Sequence, residues 1–369
     1  MSPVKAIRTV LAYVVAALGL AASLPLFLLA IPFWLVAILT GGFARLLEPR
    51  AVPQSDVVEY DRALGWKPKA NQRVHVMDTN SDPFLTTTDS DGWRGKANLD
   101  EAKVVVFGDS FAFGDSIADA DFFAHRAPGI EAKSIGAPGY SMVQPLLLMR
   151  QLKERLRGKT VVWLVYQLND LADNLRPEMD GYRSPFVRGG EDGTWHLDDA
   201  HVGPERWPFP GRVPAHEAYM EICTRPHQAK RAFGAFRFLV EEAEKVLQTV
   251  GANLVVVSVP GLSGVTSRRL AKTLSERTDL GAFDPELPDR EMTSICAEVG
   301  VRFVALTDVL DSADYRRSDV HWNERGHRKV GALLRRLWDE REEAVSRAES
   351  APEAAEPAPQ NVNPLMSRS

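Results

Sequence analysis

Four short blocks carry residue types suited to acyl transfer through a serine. The first is Val104-Val105-Val106-Phe107-Gly108-Asp109-Ser110-Phe111, an apolar run that stops at Gly-Asp-Ser. A serine just past the carboxyl end of a buried strand stands at the sheet edge where α/β folds bind ligands, near the start of the next helix. Ser110 is therefore the candidate nucleophile. Such a hydroxyl needs a base within hydrogen-bond reach, a group that orients the base, and donors aimed at the oxygen that gains charge. Asp319-Val320-His321-Trp322-Asn323 puts a carboxylate and an imidazole on one loop. His321 would take the Ser110 proton, and Asp319 would hold the ring and stabilise the imidazolium. Gly136-Ala137-Pro138-Gly139-Tyr140-Ser141 offers Gly139, whose bare backbone can bring an N–H close to a reacting carbonyl. Tyr166-Gln167-Leu168-Asn169-Asp170 offers the Asn169 amide. With the Ser110 N–H these make a three-donor oxyanion hole. Gly-Asp-Ser recurs at Gly114-Asp115-Ser116, but no strand precedes that copy, which places it in a loop or first helical turn.

Each block also has a purely structural reading: Gly139 in a turn, Asn169-Asp170 at a helix cap, and His321 with Trp322 packed near the last helix. What favours chemistry is their joint occurrence at strand ends. Asp109 and Asp170 are read as orienting backbone, and His327 as structural.

In this order, the blocks resemble the SGNH (GDSL-type) hydrolases, whose named residues are a serine, a glycine, an asparagine and a histidine. Ser110, Gly139, Asn169 and His321 fall on those positions one by one, and the resemblance spans about residues 103–335. Asn323 and Gly326-His327 resemble the helix start that follows the family histidine. Thr88-Asp89-Ser90-Asp91-Gly92-Trp93-Arg94 is similar to the stretch before the nucleophile strand in membrane-anchored relatives. Two positions depart from the pattern. Gln167 stands where the third block commonly has glycine, and Ser318 stands where the last block commonly has its aspartate, so that Asp319 lies only two positions before His321. That shorter spacing resembles relatives associated with polysaccharide acetylation, and Asp314 is held in reserve for the same role. The resemblance implies a three-layer α/β/α fold. It also implies a serine-dependent ester hydrolase or O-acyltransferase, often acting on acetyl esters of cell-envelope carbohydrate, with no metal or organic cofactor. The competing reading is a non-catalytic envelope protein that binds glycan in the same cleft.

The elements that must position these residues follow from β-branched runs alternating with helical spacing, the mark of a parallel sheet covered on both faces. Strands are expected at 103–107, 132–135, 161–166, 253–259 and 301–306, and helices at 141–156, 226–249, 264–276, 289–298 and 323–347. The chain is thus an α/β protein with a central parallel sheet of about five strands over 103–347, after a turn-rich lead-in at 51–102. Residues 175–225, rich in Pro, Gly and aromatics such as Tyr182, Phe186, Trp195, Trp207 and Phe209, read as an insertion with a hairpin near Gly189-Gly190. It is either a lid whose aromatic faces hold a sugar or acyl chain, or a small satellite core. Residues 348–369, rich in Ala, Glu and Pro, should be disordered.

No charged residue occurs between Arg8 and Arg45. As one helix that stretch would run ~54 Å, against a hydrocarbon core of ~30 Å. Residues 1–50 are therefore expected to be a membrane anchor, either one helix kinked at Pro25 and Pro32 or two short helices, with lipid as partner and the remainder on the extracytoplasmic side. The net charge of −5 supplies no basic field to gather nucleic acid. Cys223 and Cys296 sit in no metal-ligand spacing, and the sequence leaves open whether they pair.

Overall fold

Five strands build the centre of the domain: β1 (Val104–Gly108), β2 (Ala132–Gly136), β3 (Thr160–Tyr166), β4 (Asn253–Val259) and β5 (Arg302–Ala305), of which β1, β3 and β4 are nearly continuous apolar runs buried on both faces. In this computed structural model all neighbouring pairs are parallel, and the order across the sheet is β2-β1-β3-β4-β5. The chain order therefore reverses between β1 and β3. In an open α/β sheet that reversal leaves a crevice beyond the carboxyl ends of those two strands. The structure describes residues 51–77, 83–179, 182–189, 193–199, 202–204, 215–261, 282–317 and 319–350, with Pro32 and Glu276 besides.

Helices cover both faces, giving a buried core on each side of the sheet. α1 (Ser110–Phe113) follows β1 at once. On one face lie α2 (Val143–Leu152), α3 (Pro226–Gln248) and α4 (Leu287–Val299), whose buried side chains include Leu146, Phe236, Leu239, Val240 and Met292. On the other, α5 (Glu324–Ser350) closes the domain through Val330, Leu333, Leu334 and Leu337. α3 opens with Pro226 at its first position, where the missing N–H costs nothing, and its apolar stripe lies along one side.

Two parts carry more structure than the sequence suggests. In the lead-in, Val58–Asp61 pairs antiparallel with Gly65–Pro68, and Arg73–Met77 with Phe84–Thr87. These ribbons are too short for alternation to stand out from turn composition. In the insertion, Phe186–Gly189 pairs with Trp195–Asp198 as the expected hairpin, but Ala215–Thr224 is a helix that buries Tyr219, Met220, Ile222 and Cys223. Trp195 packs on Gly234 of α3, where an added Cβ would lie 2.5 Å from its ring, so the hairpin rests on the core by that tryptophan. Cys223 and Cys296 are buried free thiols.

Among the described residues no helix is long and apolar enough to cross a membrane. The expected anchor at 1–50 (Pro32 apart), most of the helix at 264–276, Trp207 and Phe209, and the tail beyond Ser350 lie outside the described residues.

Phe236 is fully buried between α3 and the sheet. Phe236→Ala is expected to cost about 3–5 kcal/mol, the range for emptying an aromatic site in a packed core. A denaturation midpoint that barely moves would show that α3 is not packed as described.

Candidate active site

β1 ends at Gly108, and Asp109 caps the helix that starts with Ser110: its Oδ1 accepts the Phe111 N–H at 2.9 Å. The hydroxyl thus stands in the first turn of α1, beyond the carboxyl edge of β1. The close approach of this turn to β2 depends on Gly136, where a Cβ would lie 2.6 Å from the Gly108 carbonyl and 2.8 Å from the Ala112 side chain. The segment after α1 is held by Arg94 of the lead-in. Its buried guanidinium donates to the carbonyls of Phe113 (2.9 Å), Gly114 (2.7 Å) and Ile117 (3.2 Å) and to Asp119 Oδ1 (2.7 Å). The ring of Phe122 lies 4.4 Å beneath it.

The histidine arrives on the loop before α5. Asn323 caps that helix, accepting the N–H groups of Arg325 (2.9 Å) and Gly326 (3.2 Å), while its amide donates to the Ala313 and Tyr315 carbonyls. Trp322 is fully buried and meets the Phe111 ring at 4.8 Å, and Phe111 meets the His321 ring at 4.9 Å. The imidazole so placed joins Ser110 to Asp319. Its Nε2 is 2.8 Å from Ser110 Oγ, and its Nδ1 is 2.8 Å from Asp319 Oδ2. Asp319 also accepts the Val320 N–H at 2.6 Å. Asp314, the reserve candidate, is committed elsewhere: it accepts from Lys329 Nζ at 2.6 Å and from the Asp311 N–H at 2.8 Å. His327 is buried among Phe122, Phe123 and Trp322, and burial holds it well below its ordinary pKa.

Burial alone would strip His321 of its proton. The hydrogen bond to Asp319 and the charges of Asp115, Asp319 and Asp109 outweigh burial and lift it to about 9. For Asp319 burial also opposes the charge, but its bonds from His321, Val320 and Ser116 bring it down to about 2. Near neutral pH the pair is imidazolium and carboxylate. With Asp319 ionised, Nδ1–H donates to it, and the other ring nitrogen faces the serine.

The expected oxyanion donors sit differently. Gly139 has φ +76°, a left-handed conformation that favours glycine, and a Cβ there would lie 3.1 Å from Met179 and 3.6 Å from Trp66. Asn169 follows β3, across the crevice from the end of β1, and its Nδ2 donates to Asp170 Oδ1 (3.1 Å) and Asp173 Oδ2 (3.3 Å). Asp170 Oδ2 in turn accepts the Tyr166 N–H at 2.8 Å, as expected of a residue that shapes backbone. Burial and then the like charge of Asp109 push Asp170 well above the usual carboxylate range, and burial lifts Asp109 to about 6. Gln167, the departure from glycine, turns from this cluster: its amide donates to Ser258 Oγ (2.7 Å) and Asp289 Oδ1 (2.6 Å), knitting β3 to β4 and α4.

Two neighbours of the centre come from the second Gly-Asp-Ser, which the sequence places in a loop or first helical turn without a role in the site. Ser116 Oγ donates to Asp319 Oδ2 at 3.1 Å, and Asp115 Oδ2 lies 3.9 Å from His321 Nε2. The repeated Gly-Asp-Ser was the available signal. Beyond Gly139 opens a cavity of about 410 Å³, lined by Trp66, Met179, Tyr182, Arg183 and, from the lead-in, Tyr60 and Glu59. Tyr182 of the insertion therefore faces open space beside Gly139, whereas Trp195 does not.

The raised His321 pKa is a statement about stability. A histidine lifted from ~6.5 to about 9 contributes stability that is fully present below ~6.5 and is lost as pH rises through 9. His321→Gln should therefore lose about 3 kcal/mol against the parent at pH 6, and the gap should close by pH 10. Paired denaturation curves across that window check it, and a constant gap would contradict the ion pair.

No family model matches this sequence, and no curated protein matches it. Among solved structures, the psychrotrophic esterase EstA from Pseudoalteromonas sp., in a form inhibited by monoethylphosphonate, is similar with 10% identity and a TM-score of 0.33, over 66% of this chain and 99% of that one. Est2A, an acetyl xylan esterase from the rumen bacterium Butyrivibrio proteoclasticus, is similar with 10% identity and a TM-score of 0.32, over 72% of this chain and 67% of that one. Likeness at this level carries no argument, so the functional reading rests on the site.

Proposed function

We propose that this chain is a serine ester hydrolase or O-acyltransferase of the SGNH class. The observation that carries the reading is the relay from Ser110 through His321 to Asp319 in two steps of 2.8 Å. In the neutral form His321 Nε2 accepts the Ser110 proton as Oγ bonds to the ester carbonyl carbon. The imidazolium so formed is held by Asp319. The carbonyl oxygen, now negative, is stabilised by the N–H groups of Ser110 and Gly139 and by Asn169, which gives up the longer of its two carboxylate bonds to reach it. Collapse breaks the ester C–O bond, the departing alkoxide takes the proton from Nε2, and acyl-Ser110 remains. Water or a second hydroxyl then repeats the attack in reverse, giving hydrolysis or transfer.

The finer reading is an acetyl ester of envelope carbohydrate. It is supported by the cavity beside Gly139, whose half-exposed Tyr60 and Tyr182 rings stand with Glu59 and Arg183, faces and polar groups of the kind that hold a pyranose. With the uncharged stretch between Arg8 and Arg45 as a lipid tether, such a domain would work outside the cytoplasm.

Ser110→Ala should fold normally, lose at least about 10³-fold in kcat on a simple acetyl ester, and fail to react with a fluorophosphonate probe. Retained turnover or labelling would sink the assignment, and a pure binding protein would not label even as the parent. Tyr182→Ala should raise KM for an acetylated pyranoside about tenfold while leaving p-nitrophenyl acetate unchanged. Equal effects on both esters would remove the carbohydrate from that cavity.

A further inference from the structure

The second Gly-Asp-Ser has no place among the four blocks, yet the chain folds it against the histidine. Gly114 ends α1 in a left-handed conformation, and Ser116 follows with φ +61°. A serine in that region is uncommon and needs surroundings that hold it there. Arg94 supplies them on one side by gripping the carbonyls of Phe113, Gly114 and Ile117, and the Arg316 guanidinium donates to the Ser116 carbonyl on the other. The result is a buried turn whose two polar side chains meet the dyad at both ends. Ser116 Oγ reaches the same Asp319 oxygen that faces His321 Nδ1, and the Asp115 carboxylate lies 3.9 Å from His321 Nε2, the nitrogen that faces Ser110.

We propose that Asp115 and Ser116 are positioning residues of this centre: Ser116 fixes the Asp319 carboxylate, and Asp115 stabilises the charged form of His321 from the Nε2 side. The inference rests on the serine, histidine and aspartate reading above and deepens it. The charged and titratable groups around the ring are Asp319 on its own loop, Asp115 after α1, Asp109 at the end of β1 and His327 on α5. The cation nearby is Arg316, whose guanidinium donates to the Ser116 carbonyl. Asp115 is the member of this set beside the nitrogen that exchanges the proton. A carboxylate there lowers the cost of the imidazolium formed during attack, and raises the pH at which the free ring becomes a base.

The experiment is an NMR titration of the histidine ring signals in the full-length chain, with His321 assigned by its loss in His321→Gln. In Asp115→Asn the His321 midpoint should fall by about one pH unit, a tenfold weaker hold on the proton. The acidic limb of kcat/KM should move with it. Asp115→Ser, a smaller neutral side chain, repeats the measurement where the amide does not fit. Ser116→Ala should lower kcat about fivefold, the value of one hydrogen bond, with KM unchanged. A His321 midpoint that stays put in folded Asp115→Asn and Asp115→Ser overturns the role of Asp115, and an unchanged kcat in Ser116→Ala overturns that of Ser116. The titration needs no turnover, so its failure is distinguishable from failure of the Ser110 assignment.

Discussion

A 2.8 Å hydrogen bond joins Ser110 to His321 across 211 positions of chain, and the rest of the domain has to hold its two ends still. Neither end lies on a long rigid element. Ser110 stands in a single turn of helix, so its position depends on the Asp109 cap beneath it, the glycine-permitted contact with β2 and the Arg94 grip on the residues that follow. His321 lies on a loop, so its position depends on Trp322 packed beneath Phe111 and on the polar knot of Asp314, Asn323 and Lys329 at the root of α5. Buried charges such as Arg94 and Asp314 are costly unless paired. Removing one partner of a buried pair costs ~3–5 kcal/mol, so each grip is tied to the fold as a whole.

The electrostatic balance of the site follows from how many carboxylates surround one imidazole. Asp319, Asp115 and Asp109 all favour its charged form, and Asp170 and Asp173 gather on the far side of the crevice around Asn169. Such a concentration of carboxylates favours an uncharged substrate. A substrate carrying its own carboxylate near the ring would meet the like charges of Asp319 and Asp115.

The lead-in and the insertion divide their labour. Trp195 fastens the insertion to α3, and Tyr182, earlier in the same insertion, meets Tyr60, Glu59 and Trp66 of the lead-in around open space next to Gly139. The insertion thus packs on the core through Trp195 and lines open space through Tyr182. The Trp66 indole N–H donates to the Pro138 carbonyl at 3.0 Å, which ties the wall of the cavity to the turn that carries Gly139.

What the sequence determined alone was local. Apolar runs rich in β-branched residues mark β1, β3 and β4 to within about a residue, since burial on both faces favours that composition, while β2 and β5 hold one β-branched residue each and are marked as closely by their place between helical stretches. Strand ends followed by Gly-Asp-Ser, Gly139 and Asn169 name polar groups at the sheet rim, because polar residues soon after buried runs have few reasons to be there, and Asp319 to His321 stand out as a carboxylate and an imidazole on the loop before the last helix. Strand order, and with it the crevice between β1 and β3, came only from the tertiary structure, since any parallel order buries these strands equally well in sequence terms. The same holds for Asp115 and Ser116, whose partners stand about two hundred positions away. It holds for Asn169, whose amide proved to be shared with two carboxylates, and for Tyr182 and Trp195, two aromatics of one segment with opposite surroundings. No periodicity records such contacts, because they arise from where packed elements end in space rather than from how any one of them repeats.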